Sequence, residues 1–203
     1  MPETRQHPWF ARFYRWMSVR MESRGVAEHR DRLLAGLTGR VVEVGAGNGL
    51  NLEHYPTGVD HVLAVEPDDL LRAEAVRAAR SAPVPVTVVA GQAESLPVGD
   101  GEADAVVASL VLCSVSDQAV ALAEIRRVLR SGGELRFYEH VHSPGRAARV
   151  VEDALTPVWS RLAGGCHLNR DTVAAIRQAG FDVGHAEQFP FGLTHVLGRA
   201  RRP

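Results

Sequence analysis

Residues 41 to 49, VVEVGAGNG, constrain the fold more than any other stretch of the chain. An apolar, β-branched run ends abruptly in three glycines spaced two apart, and a segment with helical character follows. A strand without polar alternation is buried on both faces, so helices must cover both sides of its sheet. Glycines at the end of such a strand expose backbone N–H groups at a helix start, a ready anion site.

The same alternation recurs downstream. Residues 40–44, 61–66, 84–90, 103–109 and 134–140 read as strands by apolar run and β-branching. Pro85 places the third strand near an edge or near its own start. Asp68 or Asp69 opens a helix to about Arg80, and a second helix runs from about Ser116 to Arg130, closed by Gly132-Gly133. Residues 8–36 read as two helices broken near Gly25. Strands separated by helices form a parallel sheet with helices on both faces.

The last third changes character. Residues 145–163 carry an apolar stripe of Ala147, Val150, Val151, Ala154, Leu155, Val158, Trp159 and Leu162, expected to be mostly core, with a kink at Pro157. Asn169 is expected to cap a helix ending at Gly180. Strands near 181–188 and 193–200 follow. Pro190 to Gly192 are too few residues for a parallel crossover, so these two pair antiparallel. The fold class expected is α/β: a Rossmann-like, seven-stranded, mostly parallel sheet with an antiparallel C-terminal pair.

The glycine turn admits two kinds of ligand. The dinucleotide pattern is G-x-G-x-x-G, but Gly45, Gly47 and Gly49 give G-x-G-x-G and position 50 is leucine. The glycine that lets helix and strand pack closely in the dinucleotide pattern is therefore missing. A carboxylate suits the exposed N–H groups as well as a phosphate does. Glu66 ends the second strand, where an acidic side chain can accept from both hydroxyls of a ribose. The loop GQAESLP, residues 91–97, lies at the carboxyl edge of the sheet; Gln92 and the Ala93 N–H can meet an adenine edge.

Composition excludes other classes. All 23 basic residues are arginine, which removes phosphate-loop NTPases, lysine Schiff bases and tyrosine–lysine oxidoreductases. A net charge of −1 argues against a general nucleic-acid binder. No apolar run is long enough for an integral membrane segment, and MPETRQHPWF lacks the apolar stretch of a signal peptide, so the expected location is cytoplasmic. Cys113 and Cys166 form neither a zinc spacing nor a disulfide framework. The lysine-free, Ala- and Arg-rich composition suggests a GC-rich bacterial genome.

Taken together, VVEVGAGNG, LAVEPDD, GQAESLPVGDGEADAVVAS and EIRRVLRSGGEL resemble the motifs of class I S-adenosylmethionine-dependent methyltransferases, including those of quinone biosynthesis. Ser131 stands where that family usually has proline. Gly47 to Pro56, SLVLCSV, EHV, DALTPVWSRLAGGCHLNRDT and PFGLTHVLGRAR are similar to the alkyl-thiol methyltransferases among the animal methyltransferase-like proteins, over about Ala11 to Arg201. Those proteins carry an apolar membrane anchor at the N-terminus; residues 1–10 do not read as one, so membrane residence is not expected.

The resemblance implies S-adenosyl-L-methionine as cofactor and S-adenosyl-L-homocysteine as product. It implies that Gly45, Ala46, Gly47 and Gly49 wrap the methionine part and that Glu66, with Pro67 beside it, holds the ribose. Gln92 and Ala93 meet the adenine, and Ser109 and Leu110 line the sulfonium end. It further implies a single domain over 1–203, with an N-terminal helical lid (1–39), a cofactor-binding core (40–141) and acceptor-cap helices with the C-terminal strands (142–203). Asn51 matches the family, and a bond at the helix start is its simplest role.

The sulfonium is already an activated methyl donor, so the protein has to align donor and acceptor and exclude water. No metal is expected; His140 and His142 alone are a weak ligand signal. The partner expected is a small apolar molecule, best a thiol, whose pKa near ~8.5 asks only for a modest base. His140 is the first candidate, with Glu139 and His142 as alternatives. His167, Trp159 and Cys113 are the candidate acceptor contacts, although cysteines of this kind are mostly small buried hydrophobes. Trp9, Phe10, Phe13, Tyr14 and Trp16 sit beside Arg12, Arg15 and Arg20. They suit a lid, with Tyr14 nearest the cofactor, or a peripheral membrane contact. Other readings are methylation of a quinol, phenol or phospholipid amine, an NAD-dependent oxidoreductase, and a non-catalytic cofactor-binding protein. No motif encodes an oligomeric state.

Overall fold

The computed structural model describes Ser18, Arg20 and residues 25–203. Tyr14 and the rest of the aromatic N-terminal segment lie outside the described residues. In chain order the elements are α1 (Ala27–Leu34), β1 (Gly39–Val44), β2 (Val59–Val65), α2 (Asp69–Ala78), β3 (Val86–Val89), β4 (Ala103–Ser109), α3 (Gln118–Val128), β5 (Leu129–His140), α4 (Arg146–Leu162), α5 (Thr172–Gln178), β6 (Asp182–Phe191) and β7 (Leu193–Arg201). A 3-10 turn at Leu52–His54 follows the glycines.

The seven strands form one sheet in the order β3-β2-β1-β4-β5-β7-β6. β1 to β5 pair in parallel, while β7 runs antiparallel to both β5 and β6. This is the Rossmann-like class I methyltransferase architecture expected from the sequence. Pro85 precedes β3, which is an edge strand. Strand parity sorts the core into two layers. Val42, Val44, Val106, Ala108, Leu135 and Phe137 meet Leu122, Ile125 and Ile176 from α3 and α5. Val41, Val62, Ala64, Ala105, Val107 and Tyr138 share the other layer with Leu33 and Leu34 of α1 and Ala78 of α2. The central pairing of β5 with β7 needs Gly198 opposite Phe137, because a Cβ there would stand 2.5 Å from the Phe137 ring.

Two helix caps differ from expectation. Helix α3 ends at Val128, where Leu129 turns extended and β5 begins, so Gly132-Gly133 lies within an irregular start of the strand and does not close the helix. Helix α5 is capped by Asp171, whose side chain accepts from the Ala174 N–H. Asn169 instead donates to Asp153 of α4. Asp68 and Asp117 cap α2 and α3, each accepting two backbone N–H bonds.

Helix α4 overturns the largest packing expectation. It continues through Pro157, and Thr156 is its only buried residue. Val150, Val151, Leu155, Val158 and Leu162 are exposed, Leu162 by 70%, so the amphipathic stripe does not enter the core. Periodicity shows that one face is apolar; it cannot show what that face packs against.

Candidate active site

The strand order reverses at β1, with β2 on one side and β4 on the other. Ligands of open α/β sheets bind outside the carboxyl ends of strands at such a point. Two turns meet there: Gly45–Gly49 after β1, and Ser109–Cys113 after β4.

The first turn is built by backbone geometry. Gly45, Gly47 and Gly49 have φ of 63°, 58° and 82°, values that favour glycine. A Cβ on Gly45 would meet Val111 Cγ2 at 2.5 Å, so the two turns touch only because Gly45 has no side chain. A Cβ on Gly49 would meet Ala75 Cα at 3.0 Å and Ala78 Cβ at 2.9 Å. The close helix contact that the dinucleotide pattern assigns to a later glycine is thus made by Gly49 itself.

Glu66 straps this turn to β2. Its Oε2 accepts from the Gly47 N–H at 2.8 Å and its Oε1 from the Asp68 N–H at 2.9 Å. Burial raises its pKa against the opposing effect of those two bonds. Each oxygen keeps a further lone pair, so a diol at the turn still finds an acceptor. Pro67 follows directly, its carbonyl held by Arg72. Asn51, expected to bond at the helix start, makes no such bond. Its amide donates to the buried Glu43 at 2.8 Å and accepts from Arg30. Tyr55 also donates to Glu43, at 3.0 Å. A buried Arg30–Asn51–Glu43–Tyr55 network therefore backs the glycine turn. Burial pushes Glu43 up to about 7.

After β3, Gln92 is half-buried and bridges to Ser95, and Ala93 packs into the core with Val65 and Leu96. Both stand at the carboxyl edge beside Glu66, whose N–H bonds Val89.

The second turn is held by a carboxylate. Leu110 is the one non-glycine residue with positive φ among the described residues, at 59°. Strain of this kind collects at ligand sites, where the surroundings must enforce it. Here the enforcement is explicit: the Leu110 N–H bonds the Tyr138 carbonyl at 2.7 Å, and the N–H groups of Val111, Leu112 and Cys113 all donate to Glu139. Glu139 is fully buried, and burial raises its pKa well above the ordinary value although the three N–H bonds oppose this. Its oxygens hold the backbone of the turn through these three bonds, so Glu139 positions the turn.

Cys113, at the end of this turn, meets two partners from elsewhere. Its Sγ lies 3.7 Å from His140 Nδ1 and 3.7 Å from Cys166 Sγ, and Cys166 Sγ lies 3.3 Å from the same nitrogen. The segment carrying Cys166 is clamped in place: Gly165 (φ 91°) passes Ser114 where a Cβ would be 2.7 Å from its carbonyl oxygen. The His167 N–H donates to the Cys113 carbonyl, and Arg170 donates to the carbonyls of Leu112 and Val115. The bond to Cys166, with burial, pushes Cys113 up to about 12, while the same bond lowers Cys166. Burial opposes charge on His140, but its bond to Cys113 and the attraction of Cys113 and Glu139 outweigh that and raise its pKa.

The remaining expected residues fall around this cluster. Trp159 is 37% exposed and interacts with the Cys166 sulfur. Among the described residues the buried Nδ1 of His167 has no hydrogen-bond partner. His142 is turned to Asp153, 3.4 Å away. His195, not singled out from sequence, packs against His140 with the rings tilted by 49° and centroids 4.4 Å apart; burial lowers it to about 4, so it stays neutral. Glu43, Arg30 and Arg170 were also missed, and only their placement inside strand, helix and loop reveals their tasks.

The chain is similar to known methyltransferases in sequence and in fold. Residues 42–137 match the model of a methyltransferase domain family. The chain is 34% identical over 179 residues to the human protein named thiol S-methyltransferase TMT1B, covering 82% of this chain and 73% of that one. It is 38% identical over 105 residues to the demethylmenaquinone methyltransferase of Thermobifida fusca, covering 51% and 44%. The crystal structure of a SAM-dependent methyltransferase from Thermotoga maritima superimposes with a TM-score of 0.71 at 22% identity, covering 96% and 98% of the two chains.

Proposed function

Because the chain belongs to the class I S-adenosylmethionine-dependent methyltransferases, we propose that it methylates a small apolar molecule and that the atom methylated is a thiol sulfur. The observation that carries the acceptor side is the buried Cys113–His140–Cys166 cluster, set directly after the strained Leu110 turn. The name of the human relative supports the same class.

The residues fit the cofactor. The glycine turn sits at the switch point with its Gly47 N–H on Glu66, Glu66 is a buried carboxylate with spare lone pairs, and Gln92 and Ala93 lie at the adjoining edge. When bound, S-adenosylmethionine supplies a methyl group already activated on a sulfonium. The work of this chain is alignment. Gly45 lets the two turns approach, Ser109 and Leu110 form the floor between donor and acceptor, and Glu139 fixes that floor by three N–H bonds. The acceptor thiol must lose its proton, and thiol activation falls to His140, the basic side chain within reach of the turn. Trp159, beside the Cys166 sulfur, and His167, whose N–H bonds the Cys113 carbonyl, border this cluster and are the acceptor contacts of this reading. Among the described residues no helix is long and apolar enough to cross a membrane.

A quinol acceptor is the second reading, favoured by the Thermobifida fusca relative. Mass spectrometry of methyl transfer to a mixed panel of alkyl thiols, phenols, a quinol and phosphatidylethanolamine separates them. Methylation of thiols alone is the expected result; methylation of the quinol alone refutes the thiol assignment and keeps the family.

A further inference from the structure

The triangle formed by Cys113 Sγ, His140 Nδ1 and Cys166 Sγ has edges of 3.7, 3.7 and 3.3 Å. A tetrahedral zinc with Zn–S near ~2.3 Å and Zn–N near ~2.05 Å sets its ligands about 3.8 Å apart for two sulfurs and about 3.5 Å apart for sulfur and nitrogen. The observed triangle matches one face of that tetrahedron. All three ligand atoms lie within 4.8 Å of one another. Two thiolates and a neutral imidazole neutralise a divalent cation, which removes the charge problem of a buried site, and the softness of the set favours zinc over magnesium or calcium.

The ligands are also held from outside. Cys113 is fixed by Glu139 through its own N–H, Cys166 by the Gly165 approach and the His167–Cys113 backbone bond, and His140 by pairing with β7 and by the tilted packing of His195 against its ring. Supports of this kind are what a preformed metal site requires. No sequence spacing announces the site, because its members come from the end of β4, the end of β5 and the segment after α4.

We propose that Cys113, His140 and Cys166 form a three-ligand zinc site whose fourth position takes the sulfur of the acceptor thiol. The proposal rests on the thiol reading above and specifies how His140 activates the acceptor: as a ligand, with the metal lowering the thiol's pKa. On binding, the S–H bond breaks, its electron pair stays on the sulfur and is donated to the metal, and the proton passes to water. Three protein ligands with one open position is the arrangement of catalytic zinc, as opposed to closed structural sites.

The test uses the full chain without a histidine tag, reduced, freed of metal and titrated with cobalt(II). A single equivalent should bind with thiolate-to-cobalt charge-transfer absorption and the intense visible bands of a tetrahedral site. Adding an alkyl thiol should strengthen the charge-transfer band, and zinc should abolish both. Cys166→Ser should weaken cobalt binding by at least about tenfold. The wild-type spectrum stands by itself if that variant fails to fold. Failure to bind cobalt, binding without charge transfer, a spectrum that ignores added thiol, or a Cys113–Cys166 disulfide as the stable state in place of two thiols each overturns the proposal. Undiminished thiol methylation by the metal-free chain overturns it too, while leaving the thiol reading intact. A complete, thiol-responsive cobalt site with methylation of quinol alone supports the metal site and sinks the thiol reading.

Discussion

The two turns that meet at the switch point are built on opposite principles. The β1 turn works through missing side chains: three glycines at positive φ, with Glu66 and the Glu43 network gripping them from behind. The β4 turn works through side chains gathered from distant segments, with Glu139 gripping its backbone and Cys113, His140 and Cys166 facing one another. Each half uses a buried carboxylate on backbone N–H groups to hold a shape the chain would not keep alone. On the proposed reading the cofactor is met by a backbone shape and the acceptor by side chains gathered from distant segments.

The comparison breaks most readily at the contact between the turns. Gly45→Val combines a left-handed backbone with a clash on Val111 and should cost roughly 2–5 kcal/mol. Urea unfolding measures this, and added cofactor should no longer stabilise the variant. Glu139→Gln aims at the acceptor half. It turns an amide donor toward backbone donors and should cost about 2–4 kcal/mol, with transfer slowed more than about tenfold while cofactor affinity stays close to wild type. An equal loss of both would mean that the halves are not separable.

Glu43 tests the support behind the cofactor turn through pH. Its folded value of about 7 exceeds the ordinary 4.5, so the folded chain holds this proton where the unfolded chain has lost it. Stability from this group is therefore full below about pH 4.5 and falls as pH rises through about 7, by up to ~3 kcal/mol. Glu43→Gln should remove that decline, seen as a flatter stability profile between about pH 5 and pH 7.5. A smaller effect is expected at Glu66. Glu66→Gln should weaken cofactor binding about 10–100-fold by calorimetry, with thiol KM little changed.

Legibility followed the same division. The strands, their order of appearance and the antiparallel end could be read from apolar runs and loop lengths, because a doubly covered sheet demands them. The glycine turn and Glu66 could be read because local spacing carries their geometry. Asn51 could not, since its partners Arg30 and Glu43 lie on two other elements. Asn169 and Asp171 are both good caps, and only the Asp153 side chain on α4 decides between them. The stripe on α4 shows that an apolar face states an affinity for cover without naming what covers it. Cys113 and Cys166, 53 residues apart, became a pair only when the Gly165 turn was laid on Ser114.

The most direct test of the account is a crystal structure with S-adenosylhomocysteine and a small alkyl thiol. The expected result has the ribose on Glu66, the cofactor sulfur beside Ser109 and Leu110, and the alkyl thiol sulfur against the Cys113–His140–Cys166 triangle. A thiol bound away from that triangle, or a cofactor that leaves Glu66 untouched, would contradict it.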